Sequence, residues 1–112
     1  MTAKTTRTPR KRARRAATVQ TLNVNEGVAG LRISAEKYEA FKRAILQVVP
    51  RNAEGVAFKD LPKLVASRVP GELLPAKGSA SWYTTVVKLD LEARGLIARI
   101  PGRSPQRLRR TR

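Results

Sequence analysis

Apart from Met1, no large apolar residue precedes Val19 in this 112-residue chain. A segment without apolar bulk cannot offset an ordering entropy of roughly 1–2 kcal/mol per residue. Residues 1–20 are therefore expected to form a flexible, disordered arm. Any core must come from the residues after it, which have room for one domain and no second.

Charge is sorted in the same way. The chain holds 24 Lys and Arg against 8 Asp and Glu, a net charge of +16. Residues 1–30 carry seven bases and one acid, Glu26, whereas residues 94–112 carry seven arginines and no acid. The stretch between them is an ordinary mixed-charge segment. An excess of this size at both ends implies a polyanionic partner. Arg7, Arg10, Lys11, Arg12, Arg14 and Arg15 are the arm's candidate phosphate contacts.

Several chemistries are excluded. Cysteine and histidine are absent, which removes disulfides, zinc sites of those ligands, thiol nucleophiles and imidazole bases. Asp60, Glu72, Asp90 and Glu92 read as scattered or helix-surface acids, with no Gly-rich phosphate loop or nucleophile–base spacing. No catalytic residue, metal or cofactor is expected, and the chain does not read as an enzyme. Aromatic content of 4 % argues against single-strand binding by stacked bases. No apolar run is long enough to span a membrane, and no secretory leader is visible. The acid-free start allows an organellar transit peptide, but its cations are clustered rather than spread amphipathically. A cytoplasmic, nucleoid location with no membrane partner is the expectation.

After an extended lead-in over residues 21–33, the ordered part is expected over 34–110. Ser34 is a candidate N-cap, and Tyr38, Phe41, Ile45 and Val48 or Val49 recur at helical spacing until Pro50. Gly55 to Phe58 reads as a short extended piece. A second helix is predicted from about Asp60 to Arg68, with Leu61, Leu64 and Val65 inward. A third runs from the N-cap Ser79 to Arg94, stopped by Gly95. Residues 96–100 and 106–109 flank a Pro/Gly-rich turn and read as a hairpin. Leu96, Ala98, Ile100 and Leu108 would share its inner face, leaving Arg99, Arg107 and Arg109 to solvent.

This is a mainly α fold with a small β-hairpin (α+β). The order of three helices plus a basic wing is that of a winged helix-turn-helix. The stretch Leu89-Asp90-Leu91-Glu92-Ala93-Arg94-Gly95-Leu96-Ile97-Ala98-Arg99 looks like the end of the recognition helix and the first wing strand of many bacterial winged-helix regulators. More closely, residues 31–46 (LRISAEKYEAFKRAIL) together with Ser81 to Leu108 resemble a family of small bacterial proteins of unknown function. That resemblance spans about residues 22–110. It implies the fold and supplies no catalytic or binding residues; the basic arm here exceeds the family's usual short leader.

The third helix presents a polar stripe of Ser81, Thr85, Lys88 and Glu92, with Thr84 beside it and Ser79 at its start. Such residues suit a major groove, with Glu92 expected beyond it. Trp82 is expected in the core, and Arg94 at the helix C-terminus. Arg99, Arg103, Arg107, Arg109 and Arg110 would hold flanking phosphates. The reading is a double-stranded DNA binder of nucleoid or regulator type. RNA or ribosome binding and a protein-docking module are the alternatives, and a homodimer is left open.

Overall fold

A computed structural model describes residues 17–25, 28–74 and 79–111. Three helices and two small antiparallel sheets make up an α+β fold. Helix α1 spans Ala35–Val48, and Ser34 caps it by accepting a hydrogen bond from the Lys37 N–H. Its Tyr38, Phe41, Ala44 and Ile45 fall on one buried face. Val49 follows at the C-cap, fully buried, before Pro50.

A two-residue strand, Val56–Ala57, and a single 3-10 turn, Phe58–Asp60, lead into helix α2, Leu61–Ala66. Pro62 sits in its first turn, where its missing N–H costs nothing. Leu61 and Val65 are buried, whereas Leu64 turns outward at 40 % exposure rather than inward as predicted. Leu61 and Val65, four apart, share the inner face.

Helix α3 spans Ser79–Ala93. Gly95 follows with φ of 79° and donates its N–H to the Glu92 carbonyl, and the Leu96 N–H bonds Leu91. A side chain at Gly95 would have to adopt that left-handed conformation.

The N-terminal lead-in is a hairpin. Strand β1 (Thr18–Asn23) pairs antiparallel with β2 (Val28–Ser34), with an irregularity between Gln20 and Leu22. Thr21 fills it: its buried hydroxyl donates to the Leu31 carbonyl and accepts from the Leu31 N–H. A Cβ on Gly30 would lie 2.7 Å from that hydroxyl, so only glycine fits there.

With Val56–Ala57 as β3, strands β4 (Ile97–Arg99) and β5 (Arg107–Arg110) complete the second sheet, in the order β3-β5-β4. Leu108 lies opposite Val56 on one side and Arg99 on the other. The core joins α1, α2, α3 and this sheet through Phe41, Ile45, Leu61, Val65, Val87, Leu91, Ile97 and Leu108, each at most 1 % exposed. No helix among the described residues is long and apolar enough to cross a membrane.

Candidate nucleic-acid interface

At 100° per residue, the buried arc of α3 is centred near Val87 and Leu91 and is wider than its apolar residues alone. Lys88 falls inside that arc. It is 2 % exposed, with its ammonium 2.9 Å from Glu92 and 4.5 Å from the centre of the Phe58 ring. Burial lowers its pKa, and the Glu92 carboxylate opposes that shift. Lys88 is therefore turned into the fold rather than outward on the polar stripe expected from the sequence. Thr84 is buried too, donating its hydroxyl to the Ala80 carbonyl. Glu92 is held by Lys88 and Arg99, with its side chain 4 % exposed.

The outward face of the helix is made by other residues. Ser81 is exposed, and Thr85 is half-buried with its hydroxyl donating to the Ser81 carbonyl. Trp82, expected in the core, is 47 % exposed and sits edge-on to Tyr83. Tyr83 takes the inward place instead, stacked on Phe41. Trp82 lies roughly 140–180° round the helix from Val87 and Leu91, outside the buried arc, and Tyr83 lies nearer to it. The side chain of Ser79 lies outside the described residues, as do Arg7, Arg10, Lys11, Arg12, Arg14 and Arg15.

Asp90 is the principal surprise. It was read as a surface acid, yet it is fully buried. One carboxylate oxygen accepts from the Leu22 N–H of β1 at 2.9 Å, and the other accepts from the Tyr38 hydroxyl of α1. The Arg94 guanidinium reaches both oxygens at 2.9 Å. Arg94 therefore serves this carboxylate one turn back rather than the helix end. Burial, then the bond to Asp90, raises the Tyr38 pKa far above the ordinary phenol range. This junction fixes the N-terminal hairpin to the helices.

The arginines of the C-terminal hairpin divide into two groups. Arg99 bonds Glu92 and Asn25, Arg107 donates to the Glu54 and Gly55 carbonyls, and Arg110 to the Val49 carbonyl. These are tied into the fold. Arg109 is exposed with no partner among the described residues, and Arg103 is exposed with only Glu54 at 3.6 Å. The expected shared solvent face of Arg99, Arg107 and Arg109 is thus not observed. Ile97, not Leu96 or Ala98, supplies the fully buried contact of β4, because the Gly95 turn starts that strand one residue later. Arg99 lies opposite Leu108 and so shares its side of the sheet.

Among the exposed cations that the sequence does not single out are Lys59 and Lys63. Their signal is the first turn of the second helix, whose lead-in lies beside the C-terminal hairpin because the Phe58 N–H bonds the Gln106 carbonyl. No cluster of three or more potential metal-ligating side chains occurs among the described residues.

The profile of DUF6958, a family of unknown function, matches residues 18–108. The chain belongs to that family. The DUF6958 match opens on the first residue of β1 and closes within β5, so it takes in both hairpins. The arm lies outside it. No curated protein and no solved structure matches the chain.

Proposed function

We propose that this DUF6958 protein is a non-enzymatic, double-stranded DNA-binding protein built on a winged helix-turn-helix. Two features support the fold reading: the order helix, strand, two helices, hairpin, and a sheet in which the last strand lies between the other two. One observation carries the functional reading. From α3 to the end of β5, the described residues expose no carboxylate: Asp90 and Glu92 are both turned inward and neutralised. Arg103 and Arg109 remain outward on the same stretch, Arg103 with the exposed Glu54 at 3.6 Å, and Lys59 and Lys63 lie exposed on the adjoining turn and α2 on either side of the exposed Asp60. The excess of outward cations over outward carboxylates on such a surface favours phosphates.

Phosphate binding would then fall to Arg103, Arg109, Lys59, Lys63 and the cations of the arm, with α3 facing the bases. Association with the nucleoid follows from this reading. The test is a salt titration of the affinity for duplex DNA beside structured RNA. Affinity should fall steeply with salt, each phosphate contact adding about 0.9 to the log–log slope on duplex DNA. Removal of residues 1–16 should flatten that slope and leave the fold intact. Tighter binding to RNA at matched salt would replace this reading with the RNA alternative.

A further inference from the structure

The outward face of α3 bears no charge. Ser81, Trp82 and Ala93 are exposed, and Thr85 and Leu89 are half-buried between them. Lys88 and Glu92, the charged residues bordering this face, are bonded to each other instead. A cation stands at one end: the Lys37 ammonium is 5.5 Å from the Tyr83 ring against which Trp82 is set. At the other end Arg99 is paired with Glu92. An uncharged strip with no exposed carboxylate on its own helix complements a groove walled by phosphates and floored by bases.

The chemistry of the strip limits what it can read. Guanine is selected by bidentate Arg or Lys and adenine by Asn or Gln. Neither kind of side chain occurs on this face among the described residues. The Thr85 hydroxyl proton is already taken by the Ser81 carbonyl. What remains is the Ser81 hydroxyl, which can bond any base edge and so discriminates little, and apolar surface from Trp82, Leu89 and the Thr85 methyl; the base feature that meets apolar surface in a major groove is the thymine C5-methyl group.

Resting on the DNA-binding reading above, we infer that α3 reads thymine methyl groups, with Trp82 as the specificity-determining residue. The preferred substrate is then duplex DNA rich in T·A pairs. Phosphate contacts elsewhere supply sequence-independent affinity, and this face supplies the preference.

The experiment compares the full chain on two short duplexes of one sequence, one with dT and the other with every dT replaced by dU. Charge and pairing are unchanged; only the methyl groups are lost. Binding is followed by anisotropy of a labelled duplex and by the emission of Trp82, the chain's one tryptophan. The dT duplex should bind about three- to tenfold more tightly, and Trp82 emission should change on binding. Trp82→Ala should close the gap and keep the salt slope. Equal affinities of the unmodified chain for dT and dU would overturn the methyl readout and leave phosphate binding standing. A gap that persists in a folded Trp82→Ala would overturn the role of Trp82. Absence of salt-dependent binding to either duplex would overturn both readings. The dT–dU comparison needs no variant, so it decides the matter even if Trp82→Ala does not fold.

Discussion

The two hairpins of this protein are held to it in opposite ways. The C-terminal hairpin inserts Ile97 and Leu108 into the core, each at most 1 % exposed. The N-terminal hairpin gives the core only Ile33, with Val19 packed against it, leaves Leu31 half exposed, and adds polar bonds through Thr21 within it and Asp90 beneath it. Apolar insertion resists opening wherever water is excluded, whereas a hydrogen-bonded junction depends on each partner keeping its protonation state. The C-terminal hairpin is thus built for permanence. The N-terminal hairpin is conditional.

The largest effect should come from emptying the apolar side of this comparison. Leu108→Ala removes a fully buried side chain at the centre of β5 and should cost about 2–5 kcal/mol. Urea unfolding would measure it, and both hairpins should lose protection together. Loss confined to β4 and β5 would mean that the sheet is a satellite of the core rather than part of it.

The polar side should yield less, and in a pH-dependent manner. Tyr38→Phe deletes the hydroxyl that donates to Asp90 and should cost about 1.5–3 kcal/mol at neutral pH, as for a bond to a charged group. Its pKa is raised in the folded chain, so the tyrosine's contribution is full below the ordinary phenol value. It is lost as pH climbs through the folded value. The stability gap between the parent and Tyr38→Phe should therefore shrink in strong alkali. Hydrogen exchange should quicken first in β1 and β2. A gap that widens with pH would show that the phenol is not the donor.

The smallest effect on stability should come from the outward arginines. Arg103→Ala with Arg109→Ala should shift stability by less than about 0.5 kcal/mol, since neither is tied into the fold. The same pair should lower the salt slope of DNA binding by about 2. A slope that does not move would remove these residues from the interface.

The sequence made the local elements legible and hid their faces. Periodicity and caps placed α1 between Ser34 and Pro50, and α3 between Ser79 and Gly95. The β1–β2 hairpin was not legible as strands because its bulge depends on Thr21 bonding ten residues away. The burial of Asp90 depends on Leu22 and Tyr38, which lie 68 and 52 residues away in sequence. One clue was available: Asp90 sits three and four residues after Val87 and Val86, and so on the side of the helix that they begin. Lys88 departs from the rule that a charged head marks the solvent side. Phe58 and Glu92 together give that head a place inside. The register of β4 slipped by one because the Gly95 turn consumes Leu96.

Strand β5 follows every other element in the sequence and yet lies in the middle of its sheet. Of the described strands, the one that completes this sheet is thus made after the two it joins. Until Leu108 docks between Val56 and Arg99, the site it fills stays open and the facing edges of β3 and β4 stay unpaired. A chain caught in that state offers those edges to any neighbour, so docking of β5 is the step that turns a sticky intermediate into a closed molecule.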